Sequence, residues 1–266
     1  MMQPYMYLLM ILIGIGTGAI TSLIGASGVM IIVPLLTMLF SVSVHAAIGT
    51  SLLVDVIASL TVSYAYYKNG NIDLKSGIWI AIGSIAGSQL GALLADSMGE
   101  SNLSSSFGVI LLLAGLFMFF KKSNDNKTTS NKMHKRINFK YEWQRIVASL
   151  LIGFAIGILS GIFGAGGGVM ILIALIVLLS FPLHKAIGTS TLIMAITALS
   201  GAAGYAIRGN INLTLSLLIG IGSIIGGALG SRYANKINEN LLKKIVGVAF
   251  IAMGVIMTMI TLFTIK

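Results

Sequence analysis

The chain has 266 residues, 56% of them hydrophobic and 9% charged, with a mean hydropathy of +0.99. Soluble domains carry about 25% charged residues, and no single core could hide this much apolar surface, so a water-soluble fold is excluded. The formal charge of +10 sits in stretches flanking apolar segments, as the loops of a membrane protein require, so no nucleic-acid partner is expected, and the absence of cysteine excludes disulfides and thiol chemistry.

Apolar runs near the roughly 20 residues that cross a bilayer predict an all-α, polytopic membrane protein. The opening stretch "MMQPYMYLLMILIGIG" lacks the basic start of a signal peptide, so its apolar run is expected to stay as a membrane helix. The predicted segments in chain order are 5–24, 29–41, 44–67, 75–97 and 104–120. A polar, basic stretch over 121–145 follows, and then 144–163, 169–181, 184–207, 213–235 and 241–264. The second segment of each set is short. Residues 29–41 as a helix reach about 20 Å, against a hydrocarbon core of about 30 Å, so either the segment stops short or the glycine turn before it lies inside the membrane.

The two sets are copies. Displaced by 139 positions, "HAAIGTSLL" from His45 lies over "HKAIGTSTL" from His184, and "NGNIDL" from Asn69 lies over "RGNINL" from Arg208. "GSIAGSQLG" from Gly83 likewise lies over "GSIIGGALG" from Gly222. Three matches in one register exclude chance similarity of composition. The chain thus divides into a first repeat (1–120), a basic loop (121–145) and a second repeat (146–266).

Loop charge orients the repeats. The positive-inside rule puts the 121–145 loop in the cytoplasm, with Lys68 and Lys75 on the same side. Arg232, Lys236, Lys243 and Lys244 fall inside only if each repeat crosses an odd number of times. That makes the repeats inverted, with about ten membrane segments and both termini outside; Arg208, placed outside, dissents.

Glycine-interrupted short segments at matching places in inverted repeats point to a transporter's midplane site. Irregular backbone survives at membrane depth only when buried in protein or lining a cavity. The turns "GASG" (Gly25–Gly28) and "GAGGG" (Gly164–Gly168) lead into the short helices expected from Val29 and Val169. The unpaired N–H groups and positive dipole end of such a helix favour an anion. Two such turns entering from opposite faces would meet around one small anion. Gly83, Gly87 and Gly91, like Gly222, Gly226 and Gly230, stand four residues apart in full-length segments and are read instead as close helix packing.

The duplicated "GAGGGVMILIAL" turn, "H-x-A-I-G-T-S" run, "GNI" and "GSIxGxxxG" helix together resemble the TauE/SafE sulfite-exporter family, over nearly the whole chain outside the central loop. The resemblance implies a secondary transporter of a small sulfur-containing anion, such as sulfite or a sulfonate, or of a related organic anion. Carried onto this sequence, the substrate-binding residues are Gly25, Ala26, Ser27 and Gly28 with Thr50 and Ser51, and Gly164, Ala165, Gly166, Gly167 and Gly168 with Thr189 and Ser190. The hydroxyls act as neutral donors, against the alternative that they bond back to their own helix. The first copy departs from the pattern with Ser27 where the second has Gly166, which leaves the substrate within the family open.

Asp55 is the one acid well inside an apolar segment, where a carboxylate is costly and functional by default; it is expected to carry a coupling proton. Its counterpart is Met194. His45 and His184 are read as helix-end residues. Three scattered histidines offer no metal cluster, and no cofactor is expected. An anion channel on the same scaffold is an alternative, separable by counterflow of labelled substrate. A rhomboid-like serine protease pairing Ser27 with His45 or His184 is a weaker one, because the second copy lacks the serine. The expected partners are the small anion and the lipid bilayer, with a homodimer left open; the expected location is a prokaryotic inner membrane.

Overall fold

The computed structural model describes residues 4–25, 27–95, 142–163, 167–177, 181–238, 240–242, 244–248, 251–252 and 255. Eight helices have described bounds: α1 (Pro4–Ile24), α2 (Val29–Phe40), α3 (Val44–Lys68), α4 (Leu74–Ala95), α5 (Glu142–Phe163), α6 (Gly167–Val177), α7 (Leu183–Ile207) and α8 (Leu213–Ala234). The predicted segment 104–120 and the loop up to residue 141 lie outside the described residues, and 241–264 is described only in pieces, all helical. One boundary is corrected. The second short helix begins at Gly167 rather than Val169, so Gly167 and Gly168 form its first turn; there the first N–H groups lack intrahelical partners in any sequence, and glycine costs little.

Among the described residues, four helices are long and apolar enough to cross a membrane: Tyr5–Ile24, His45–Lys68, Leu183–Ile207 and Leu213–Ala234. Their faces are arranged for lipid. On α8, Ser216, Gly220, Ser223, Gly227 and Ser231 point inward, while Leu217, Ile221, Ile225 and Leu229 are exposed. An apolar exterior around a core of hydroxyls and glycines is stable only when the solvent is hydrocarbon.

The 139-residue register recurs in the packing. Ile32, Leu36, Ala47, Val54 and Ile219 share one core cluster, and their counterparts Ile171, Leu175, Ala186, Ile193 and Ile80 share another. Both short helices end on the same six-residue bond, Val42 N–H to Leu36 O and Phe181 N–H to Leu175 O, the Schellman closure that satisfies an orphan carbonyl. At the first, Ser41 adopts a left-handed backbone with φ 51°.

The repeats interlock rather than sit side by side. The α1 helix runs parallel to α8: a Cβ at Gly14 or Gly18 would strike Ile219 O or Ser223 O, and one at Gly226 would strike Ile15 O. The equivalent pair, α5 with α4, repeats this. Gly153 and Gly157 abut Ile80 O and Ser84 O, and Gly83 and Gly87 abut Leu150 O and Phe154 O. Backbones this close leave no room for a side chain, so Gly83, Gly87, Gly222 and Gly226 are packing residues, as their spacing predicts; Gly230, against Ser22 and Ala19, is another. The third helices, α3 and α7, run antiparallel. Gly49 packs on Tyr205 and Asn210 O, and Gly188 packs on Tyr66 and Asn71 O. Apart from Gly230, each of these contacts from i to j+139 is answered by one from i+139 to j, the pattern of a two-fold relation.

Candidate transport site

The first glycine turn leaves α1 through Gly25, whose φ of +66° is a left-handed value that glycine adopts without penalty. A Cβ here would also lie 2.9 Å from Ser190 Oγ and 3.2 Å from Ile187 Cα. The turn of one repeat is therefore seated on the "GTS" segment of the other, and Ser190 Oγ lies 3.3 Å from Gly25 O as a donor. Ala26 lies outside the described residues. Ser27 is buried and has two partners: its Oγ donates to Asp55 Oδ2 at 2.8 Å and accepts from Val29 N–H at 3.2 Å. The second bond satisfies one orphan donor of the α2 N-terminus. Gly28 closes the turn against Thr17, with Thr21 Oγ1 3.6 Å from where its Cβ would stand.

Of the second turn, Gly164, Ala165 and Gly166 lie outside the described residues, and Gly167 and Gly168 open α6. The two threonines of the "GTS" segments occupy equivalent places. Thr50 Oγ1 accepts from Asn212 N–H at 2.9 Å, and Thr189 Oγ1 accepts from Asp73 N–H at 3.0 Å, so each pins the turn that precedes a helix of the other repeat. A salt bridge from Lys185 to Asp73, 3.5 Å, reinforces one of them. Ser51 and Ser190 bond back to Ile48 O and Ile187 O at 2.8 and 2.9 Å, which is the local bond expected of a helical serine; only Ser190 also meets a turn.

Asp55 is buried in the middle of α3. A carboxylate at the centre of a membrane helix costs about 2.5–3.5 kcal/mol, and one hydrogen bond to a charged group offsets about 1.5–3 kcal/mol of that. Ser27 and the backbone N–H of Gly28 thus support the carboxylate, while Oδ1 has no hydrogen bond of ordinary geometry. Both members of this pair are particular to the first repeat, since the equivalent residues are Gly166 and Met194.

The structure adds residues that single-position reading misses. Ser51, Asp55, Ser59 and Ser63 lie one helical turn apart along α3, a polar stripe in an apolar helix, and Thr17 and Thr21 do the same at the end of α1. The four-residue spacing is their sequence signal. His184 Nε2 lies 3.0 Å from Ala234 O at the end of α8, and His45 is exposed. Ser27 thus bonds a carboxylate, and His184 closes a helix end.

Comparison with known proteins agrees with this architecture. The sequence profile "Sulfite exporter TauE/SafE" matches residues 10–257. The chain is 32% identical to the "Probable membrane transporter protein YunE" of Bacillus subtilis (strain 168), covering 93% of this chain and 96% of that one. It is 30% identical to YdhB of the same organism, named in the same words, over 89% and 94% of the two chains. It is 28% identical to the "Probable membrane transporter protein MJ0441" of Methanocaldococcus jannaschii, over 94% of each. No solved structure matches. With its inside-out helices, duplicated glycine turns and full-length match, the chain is a membrane transporter protein and belongs to the TauE/SafE family.

Proposed function

We propose that the protein is a secondary transporter that moves a small oxyanion, such as sulfite, a sulfonate or a related organic anion, at a site between its two repeats. The observation that supports this best is the seating of Gly25 on Ser190. It puts the opening turn of a short helix from one repeat against a hydroxyl segment of the other. In this reading the anion is held by backbone N–H groups of residues 25–28 and 164–168, with residues 50–51 and 189–190 lining the site and the N-terminal dipoles of α2 and α6 supplying the attraction. A site without cationic side chains holds its cargo moderately, as a carrier that must release it requires.

The antiparallel course of α3 and α7 favours inverted repeats: two membrane units of residues 1–120 and 146–266 around a cytoplasmic 121–145 loop, about ten crossings, and both termini outside. The membrane is the cell (inner) membrane of a prokaryote, in keeping with the relatives' bacterial and archaeal sources. Asp55, the isolated carboxylate tied to the first turn through Ser27, carries the coupling proton.

The test is a thermal-shift screen of purified protein against sulfite, sulfate, thiosulfate, sulfoacetate, taurine and simple carboxylates, since a ligand that binds the folded state raises its apparent stability. A response to one or more sulfur oxyanions is expected. It should be lost in folded Gly167→Val and retained in Gly87→Val, where bulk only loosens helix packing. A full response in folded Gly167→Val would rule the site out.

A further inference from the structure

Most buried serines and threonines among the described residues spend their hydroxyl on the preceding turn of their own helix. Thr17 bonds Gly14 O, Ser63 bonds Leu60 O, Ser84 bonds Ala81 O and Ser223 bonds Gly220 O, the ordinary solution for a hydroxyl in an apolar helix. Thr21 and Ser59 break the habit. Both are fully buried, and neither Thr21 Oγ1 nor Ser59 Oγ has a hydrogen-bond partner; the third such atom in the same region is Asp55 Oδ1. Ser59 stands one turn beyond Asp55 on the same face of α3. Thr21 faces Gly28, whose neighbour Ser27 holds the other carboxylate oxygen. Three unsatisfied buried oxygens, one facing the turn and two on one face of α3, are expensive to bury unless something else satisfies them.

We propose that Asp55, Thr21 and Ser59 form a binding site for one monovalent cation, Na+, at which Na+ and a proton compete; this rests on the reading of Asp55 as the coupling group and extends it. The donors are all oxygen, the set preferred by hard cations. Asp55 is the sole buried carboxylate among the described side chains, so the site balances one positive charge and not two. The transported anion is excluded from it by like charge. The second repeat has Ser160, Met194 and Ala198 at the equivalent positions, so the molecule holds one such site and binds one cation.

The test uses the full-length purified protein, with NaCl replaced stepwise by choline chloride. Wild type should show a saturable rise in Tm with Na+, half-saturating at higher Na+ as the medium is acidified. Thr21→Val and Ser59→Ala each remove a neutral ligand and should raise the half-saturating concentration about tenfold, with the Tm in choline little changed; Asp55→Asn should abolish the response. A wild type indifferent to Na+, or a half-saturating concentration in both Thr21→Val and Ser59→Ala unchanged from wild type, would overturn the site. Proteoliposome uptake separates this from the coupling reading. Uptake driven by a pH gradient in a protein that ignores Na+ removes the Na+ site alone, whereas gradient-driven uptake persisting in Asp55→Asn removes the coupling role and the extension built on it.

Discussion

Along α3 the inward face reads Ser51, Asp55, Ser59, Ser63, and along α7, at the same four positions of the second repeat, it reads Ser190, Met194, Ala198, Ala202. Around these two faces nearly everything else is shared. Thr50 and Thr189, Gly49 and Gly188, and the left-handed Gly70 and Gly209 (φ 71° and 72°) make matching contacts or matching turns. The difference teaches which parts of a duplicated transporter are held to symmetry. Close helix packing and the pinning of turns recur in both copies because each lock has a partner on the other side. A buried charge needs only one location, and it appears in only one copy together with the serine that touches it.

The largest effect should come from erasing the difference. In Ser27→Gly/Asp55→Met the first repeat takes the second's residues at the two positions. Gradient-driven accumulation in proteoliposomes should vanish while exchange of labelled substrate continues. Accumulation at the wild-type level would show that the pair is structural. The double variant is preferable to Asp55→Asn alone because it reproduces at both positions the residues that the second repeat carries, Gly166 and Met194.

A smaller and symmetrical effect is expected where the repeats interlock. Gly87→Val and Gly226→Val each drive a side chain into a carbonyl, Phe154 O or Ile15 O, and overpacking of this kind costs about 1–3 kcal/mol. Thermal unfolding in detergent should show similar losses for both. A loss confined to one would mean that the α4–α5 and α1–α8 pairs are not equivalent in solution.

The smallest effect tests the turn locks. Thr50→Val and Thr189→Val each leave one backbone N–H, of Asn212 or Asp73, without its acceptor. Each should cost about 1 kcal/mol, and the double variant should cost the sum, since the two bonds share no partner. Markedly unequal costs would indicate that the Lys185–Asp73 ion pair, present on one side only, governs that lock.

Much of this arrangement was legible in the sequence. Helix bounds fell within about two residues wherever the structure describes them, because apolar runs punctuated by "KNGN" and "RGN" leave little freedom. The glycines four apart identified themselves as packing positions. The interlocking was not legible: a repeat of 139 residues says that two copies are alike, and only contacts such as Gly14 with Ile219 say that α1 pairs with the other copy's fourth helix. Nor was the α6 start, because three successive glycines fit a turn as well as a helix N-terminus. Thr21 and Ser59 stayed hidden because an isolated hydroxyl in an apolar helix normally bonds its own backbone, and spacing does not reveal the exception.

The central claim is that the two copies face opposite sides of the membrane around one site, and it is tested most directly on this cysteine-free chain by Lys68→Cys and Ile207→Cys. The two positions are equivalent in the repeat, at the ends of α3 and α7, and both side chains are exposed. Membrane-impermeant maleimide applied to intact cells should label the cysteine at 207 and spare that at 68, and inside-out vesicles should reverse the pattern. Labelling of both from the same side would contradict the inverted arrangement and the shared site with it.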